Sequence, residues 1–200
     1  MKQAEASSIR KDLSNLEIRE RIIETLRSTQ HENIEAVISY MENHEFFTRG
    51  CHGHHKYDGG LAHHAWQTYQ LAKKLEVENK RIHPNVPLLD ANSLAICTLL
   101  HDFCDCKGMH DIKGHGYRSA MMLKELGFHL NDDEFLAIRY HMSLEDKKNH
   151  SRYENARHCH LRFITHKADG ISAEMYKGAY INCFFPQILW WFEGKCLSLH

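Results

Sequence analysis

The sequence predicts a single domain built from α-helices alone, and three observations favour this class. Only 3 prolines and 11 glycines interrupt 200 residues. Between them the apolar residues mostly recur with a helical period, and no stretch keeps the strict alternation typical of half-buried strands. The length suits one domain with a sizeable core. We therefore expect one all-α bundle over residues 1–200, with N-terminal helices in 1–45, the functional core in 46–176 and an aromatic C-terminal segment in 177–200.

The first two predicted helices, residues 15–28 and 32–46, are amphipathic. Each carries apolar side chains at helical spacing and charged side chains elsewhere, a pattern typical of helices that face a core with one side. The apolar sets are Leu16, Ile22, Ile23 and Leu26 in the first helix, and Ile34, Val37, Ile38 and Met41 in the second.

The third predicted helix, residues 61–78, follows a loop rich in glycine and histidine at 48–60. At about 100° per residue, its apolar residues form one broad arc with His64 at the edge. His63 falls on the opposite side with Gln67, Gln70 and Lys74, so we expect His64 to point inward and His63 outward. Taken alone, His64 would fit a core histidine bonded to a backbone carbonyl.

The fourth predicted helix, residues 88–102, has almost no polar face and ends in His101 and Asp102. Such a helix is buried on all sides. A buried carboxylate needs a partner, because desolvating an isolated charge is costly. No arginine lies nearby in the sequence, so a divalent cation shared with the adjacent imidazole is favoured over an Asp–Arg pair.

The rest of the chain predicts three more helices and two loops. The helices span 117–126, 132–142 and 158–176, the second capped by Asn131, and the loops span 104–114 and 147–155. Three polar residues stand out on these segments. His115 lies between two glycines at the start of a helix, His141 follows an inward-facing apolar set, and Asp169 flanks an apolar stripe.

Six residues on or at the ends of separate helices therefore form an ordered series of potential metal ligands. Imidazole is the commonest metal ligand in proteins, but the chain has 18 histidines and most must be ordinary. Each of the six, taken singly, fits an ordinary structural residue. The prediction of a metal site therefore depends on their order along the chain. The series is His64, His101, Asp102, His115, His141 and Asp169.

These positions lie in motifs through which the chain resembles the HD-domain superfamily of metal-dependent phosphohydrolases. The resemblance covers roughly residues 46–175. The motifs are FFT (46–48), HHKYDGGLAHH (54–64), LLHDFCD (99–105), GHGYRSA (114–120), AIRYHM (137–142) and THKADGISAE (165–174). The first two are also similar to HD-type 3′-5′ exoribonucleases and to stand-alone bacterial and phage HD hydrolases.

The resemblance implies an all-α HD bundle with the metal site inside it. His64, His101, Asp102 and Asp169 would hold a first metal. His115 and His141 would complete a second, with Asp102 bridging, and Asp102, His115 and His141 would form the catalytic group. One or two ions are expected. Imidazole and carboxylate ligands favour transition metals over Mg²⁺ or Ca²⁺; we favour Fe or Mn, and Zn, Ni and Co are compatible.

The chain departs from the family pattern around the expected phosphate contact. The family often reads HD-x-x-K, with the lysine on the phosphate, whereas this chain has Asp105 there. Lys107 is one candidate replacement. Arg118 and Arg139 are others, because each lies close in sequence to a proposed ligand and guanidinium binds phosphate in a bidentate manner. His54 and His55, in the loop before the first ligand, are expected to line the mouth of the site or to donate a proton, and a plain surface loop is the alternative. His54 is counted among the expected substrate contacts.

The leading function is therefore a phosphohydrolase or phosphodiesterase that uses a metal-activated hydroxide on a nucleotide or another small phosphorylated substrate. An HD-type di-iron oxygenase is the second hypothesis, and a non-catalytic metal-bound domain that senses a nucleotide or binds a partner is the third. A net charge of −1 and a pI near 7.0 provide no overall field toward nucleic acid or membranes. This argues against exonuclease activity, although nucleic acid is not excluded as a substrate, and no membrane partner is expected. Oligomeric state is not predicted.

The cellular setting is expected to be cytoplasmic. No run reaches the length of a membrane span, and the first residues lack the apolar core of a secretory signal. Seven cysteines, an odd number without a short-range framework, fit reduced thiols better than a disulfide scaffold.

Overall fold

The computed structural model describes residues 13–51, 53–108, 114–142 and 155–176. The regular secondary structure of this part of the chain is helical, and no strand occurs in it, which confirms the predicted all-α class. The helices are α1 (Asn15–Ser28), α2 (Ile34–Asn43), α3 (Gly60–Ile82), α4 (Ala91–Leu100), a 3₁₀ helix (Phe103–Lys107), α5 (His115–Glu125), α6 (Asp132–Arg139) and α7 (His160–Tyr176).

Side-chain caps explain where several helices begin. Ser14 and Glu17 form a reciprocal capping box at α1, whose bounds match the prediction. Asn131 caps α6, as predicted, by accepting the backbone N–H of Glu134. Asp90 accepts the N–H of Ser93, so α4 begins at residue 91 and not at 88 as expected.

Other bounds differ from the predictions in ways that matter for the site. Helix α5 begins at His115, two residues early, because Gly114 adopts a left-handed conformation with φ of 84° just before it. Helix α6 ends at Arg139, so His141 lies in the turn that follows and not on the helix. The predicted loop at 104–114 begins with the 3₁₀ helix.

Helix α4 lies at the centre of the bundle. It packs against α1, α3, α6 and α7, and all its residues from Leu94 to Leu100 are buried, as its lack of a polar face predicts. Helix α5 packs against α6 and the 3₁₀ helix, while α3 packs along α7. The carboxyl end of α4 therefore points into the space between the surrounding helices.

No helix in the described ranges is both long and apolar enough to cross a membrane. Among the same residues the five cysteines are free and buried. The aromatic segment expected at 177–200 and most of the polar loop expected at 147–155 lie outside the described residues.

Candidate metal centre

The structure brings the six predicted ligands together in one buried cluster. They come from α3, from the residues just after α4, from the start of α5, from the turn after α6 and from α7. None is more than 9% exposed. The residues are His64, His101, Asp102, His115, His141 and Asp169.

Asp102 stands between two pairs of imidazoles. Its Oδ2 lies 3.7 Å from His64 Nε2 and 3.4 Å from His101 Nε2. Its Oδ1 lies 3.2 Å from His115 Nε2 and 3.3 Å from His141 Nε2. One carboxylate thus offers a different oxygen to each pair, which is the arrangement of a ligand that bridges two cations.

Asp169 completes the first of the two groups. Its Oδ1 lies 3.1 Å from His64 Nε2 and 3.8 Å from His101 Nε2. Two imidazole nitrogens and two carboxylate oxygens therefore converge on one point from α3, the end of α4 and α7.

Backbone carbonyls fix the tautomers of two of the histidines. Thr98 O lies 2.9 Å from His101 Nδ1, and Ile138 O lies 2.7 Å from His141 Nδ1. A carbonyl oxygen can only accept, so each Nδ1 carries a hydrogen and the neutral ring keeps a lone pair at Nε2. Those lone pairs point into the cluster.

The Nε2 atoms approach each other too closely to be left without a cation or a proton between them. The distance is 3.1 Å between His64 and His101, and 2.8 Å between His115 and His141. Two nitrogens at right angles on one metal, each bonded at about 2.1 Å, lie about 3 Å apart. The spacing of both pairs fits a shared transition metal.

Asp102 Oδ1 supplies a second test of the fit. It is buried and accepts no hydrogen bond of normal geometry. An unsatisfied buried carboxylate oxygen is strongly unfavourable. A divalent cation held with His115 and His141 would satisfy it, so the donor set fits a metal.

The electrostatics keep both carboxylates ionised. Burial would raise the pKa of Asp102, but the charge of His101 and the close approach of the Nε2 atoms of His101, His115 and His141 hold it well below its ordinary value. The pKa of Asp169 is lowered in the same way, chiefly through His64 and His101 against the effect of burial. Burial lowers the pKa of His101, yet Asp102 and Asp169 outweigh it and raise that pKa to about 9. Without a cation, His101 therefore holds a proton.

Helix α7 also holds the turn that carries His141. Arg162 Nε donates to Tyr140 O at 3.0 Å, and His166 Nδ1 donates to the backbone oxygen of His141. His166 was not among the ligands or contacts predicted from the sequence. A sequence feature that could have identified His166 is its position three residues before Asp169, which places both residues on one face of the helix.

The helical phase of α3 was right for two residues and wrong for a third. His64 is fully buried, while His63 is half-exposed and its Nε2 lies 2.8 Å from Asn15 Oδ1. Gln67, expected on the outer side with His63, is half-buried and bonds to Ser172 and His55 beside the cluster. The outward assignment of Gln67 is a correction, and its cause is α7, which packs along that side of α3.

The residues expected to bind substrate lie in different surroundings. His54 is half-buried beside the cluster, with its ring centroid 4.4 Å from that of His64. Arg118 is half-buried one turn after His115 on α5. Arg139 is stacked among aromatic rings. Lys107 is exposed, with its ammonium 5.4 Å from the Tyr40 ring, so it lies on the surface and not inside the cluster. The rings against Arg139 are Tyr117 at 4.7 Å, Tyr140 at 5.0 Å and Phe135 at 6.0 Å.

Asp105 occupies the position where the family pattern places a lysine. It is partly buried, and burial together with the charge of Asp102 raises its pKa to about 6. The candidate metal centre therefore has an additional acidic group where the resemblance implies a lysine.

Comparison with known proteins gives one result for the family. A family model described as HD domain matches residues 61–174, more than half of the chain, and all six clustered residues lie within the match. The comparisons with curated proteins and with solved structures found no match.

Proposed function

Because the chain belongs to the HD domain family, whose members are generally metal-dependent phosphohydrolases, we propose that it hydrolyses a phosphoester with one or two divalent metals. The family match confirms the resemblance to the HD-domain superfamily. The observation that carries the proposal is the position of Asp102, whose two oxygens face two separate pairs of imidazoles.

The chain's own residues would hold and orient the metals. His64, His101 and Asp169 would bind the first, His115 and His141 the second, with Asp102 shared. When bound, such metals supply a nucleophile at neutral pH and withdraw charge from the phosphoryl group. The carbonyls of Thr98 and Ile138 aim their imidazoles through the Nδ1 hydrogens. Iron or manganese suits this donor set best.

The substrate we propose is a phosphodiester in a nucleotide or another small phosphorylated compound. Asp105 adds negative charge near the site, and a diester carries one charge where a monoester carries nearly two at neutral pH. Repulsion is therefore weaker for the diester. Arg118 and His54 are the proposed substrate contacts, since both are half-buried and lie close to a ligand; Arg139 is the third.

A di-iron oxygenase is the second candidate, and one observation favours it. The position that grips phosphate in many relatives is acidic here, while four histidines and two aspartates remain to hold two irons. Two irons with oxygen uptake and no phosphoester turnover would select this reading. Bound metal with neither activity would leave a metal-bound binding domain.

The test is metal content and hydrolysis of the full chain, purified without chelator and assayed with Mn²⁺ or Fe²⁺. Bis(p-nitrophenyl) phosphate and p-nitrophenyl phosphate separate diesters from monoesters. We expect Asp102→Ala and His64→Ala to lose bound metal and to lower turnover more than about 100-fold, since both remove ligands. His63→Ala, its neighbour on α3, is the matched control and should keep both. Wild-type metal content in Asp102→Ala would remove the basis of the proposal.

A further inference from the structure

A continuous hydrogen-bonded path leads from the proposed metal ligand His64 to the loop before α3. His64 Nδ1 lies 3.0 Å from Ser172 Oγ, and Ser172 Oγ donates to Gln67 Oε1 at 2.8 Å. His55 Nε2 lies 3.1 Å from the same Gln67 oxygen. His54 Nδ1 lies 3.0 Å from His55 Nδ1. The Gln67 side-chain oxygen thus connects the pair His64 and Ser172 to the pair His54 and His55.

The direction of every bond follows from that oxygen, because an amide oxygen only accepts. Ser172 has a single hydrogen and gives it to Gln67, so its oxygen accepts from His64 Nδ1. His55 likewise donates from Nε2, which leaves a lone pair on its Nδ1 and makes His54 Nδ1 the donor. His54 and His64 then both keep lone pairs at Nε2.

Rotating the Gln67 amide by half a turn would reverse the whole path. The amide nitrogen would donate to Ser172 and His55, and Ser172 would donate to His64 Nδ1. The hydrogen of neutral His64 would move to Nε2, the atom that faces His101 and Asp169. A protonated nitrogen cannot bind a metal, so metal binding at His64 selects the first direction.

We propose that Gln67 is a positioning residue that couples metal binding at His64 to the tautomer of His54. With metal bound, His54 presents an unprotonated Nε2 beside the site and accepts a hydrogen bond from a hydroxyl, amine or water of the substrate complex. In the reversed direction His54 would present an N–H and repel such donors. The inference rests on the proposed function only in requiring a metal on His64.

The location of His54 and Gln67 supports this role. His54 is half-buried, and its ring lies against the ring of His64. Gln67 lies one helical turn after His64 on α3, and Ser172 lies three residues after Asp169 on α7. The coupling element is therefore held by the same two helices that hold the first metal group.

The experiment is nuclear magnetic resonance on the full chain labelled with ¹⁵N at histidine and loaded with Zn²⁺, which is diamagnetic. Long-range ¹H–¹⁵N correlations identify which nitrogen of each ring is protonated. We expect hydrogens on Nδ1 of His64, Nε2 of His55 and Nδ1 of His54. A hydrogen on Nε2 of His54 in this protein would overturn the inference, and this readout needs no variant.

Variants of Gln67 test the coupling itself. Gln67→Leu removes the shared acceptor and should mix the tautomers of His54 and His55, and it should weaken Zn²⁺ binding about 10- to 100-fold, as is usual for residues that orient a ligand. Gln67→Glu keeps an accepting oxygen and should restore the wild-type tautomers and most of the affinity. Gln70→Leu, on the same helix, is the control and should change neither. Wild-type tautomers in Gln67→Leu would contradict the coupling.

Failure of this inference is distinguishable from failure of the proposed function. The expected tautomers without turnover of any phosphoester would overturn the proposed hydrolase and support the coupling. Turnover with His54 protonated at Nε2 would do the reverse. No Zn²⁺ binding at all would overturn both.

Discussion

At the scale of single residues, the local backbone orients two of the proposed metal ligands. The carbonyls of Thr98 and Ile138 each lie three residues before the histidine that they orient. Their bonds leave the Nε2 atoms of His101 and His141 directed at Asp102. This preparation lowers the entropy lost on binding, since the rings are already held.

Asp105 stands where the resemblance implies a lysine, and its burial predicts a measurable instability. Its pKa of about 6 exceeds the ordinary value of 3.8. The folded state therefore binds more protons than the unfolded state between these pH values, and stability falls as the pH rises through that window. The loss of folding stability caused by ionised Asp105 approaches its full size as the pH rises above 6.

Asp105→Asn should therefore stabilise the chelator-treated protein at pH 7, by about 1–3 kcal/mol or several degrees in melting temperature. The gain should shrink as the pH falls from 6 toward 4.5, and thermal denaturation across this range measures it. Asp58→Asn removes an exposed carboxylate and serves as the control. An equal gain at both ends of the range would show that the carboxyl charge of Asp105 is not its cause.

At the scale of elements, the approach of α5 to the end of α6 sets the distance between two proposed ligands. Gly116 in α5 lies so close to α6 that a Cβ there would be 2.5 Å from Ile138 O and 2.6 Å from Arg139 O. His115 is the residue before this glycine, and His141 lies just beyond those carbonyls. The 2.8 Å between their Nε2 atoms therefore depends on the absence of a side chain at 116.

Gly116→Ala should push the helices apart, lower stability by about 1–3 kcal/mol and weaken binding at the proposed second metal site more than at the proposed first. Denaturation of the chelator-treated variant and stoichiometric metal titration measure the two effects. Gly170→Ala is the control, because a Cβ at 170 in α7 meets nothing within 4 Å. Alanine should stabilise that helix by about 0.5–1 kcal/mol. Wild-type metal stoichiometry and affinity in Gly116→Ala would show that the close approach does not set the ligand spacing.

At the scale of the whole molecule, a cation would tie together five separate parts of the bundle. The ligands come from α3, the end of α4, the start of α5, the turn after α6 and α7. A ligand that binds only the folded state stabilises all of it. The protonated His101 competes with the metal, so this stabilisation must depend on pH.

The sign of that dependence follows from the raised pKa of His101. The pKa is about 9 in the folded protein against an ordinary 6.5. The proton therefore stabilises the metal-free fold fully below pH 6.5, and this contribution is lost as the pH rises toward 9. Over the same range the apparent dissociation constant of the metal should fall about tenfold per pH unit.

We therefore expect saturating Mn²⁺ to raise the melting temperature by about 5–10 °C near neutral pH, with a larger rise at pH 8.5 than at pH 6.5. Thermal denaturation with metal and with chelator at each pH makes the measurement. His63→Ala should behave as the wild type. A shift that does not change with pH would contradict a protonated His101 in the metal-free centre.

Much of this protein follows from its sequence alone, because helix caps and helical periods are local. Ser14 and Glu17 determine the start of α1, Asn131 determines the start of α6, and the phase of α3 predicts the burial of His64. The order of histidines and aspartates selected the six residues that the structure brings together, and their metal binding stays a prediction.

Tertiary structure decided which neighbour each face meets. Helical phase predicts which way a side chain points from its own helix axis. It does not predict that α7 lies beside Gln67, or that Lys107 packs over Tyr40 on the surface. The end of α6, two residues before His141, likewise depends on bonds from α7. Directions within a helix are local properties, whereas contacts between helices come from long-range packing that no single segment encodes.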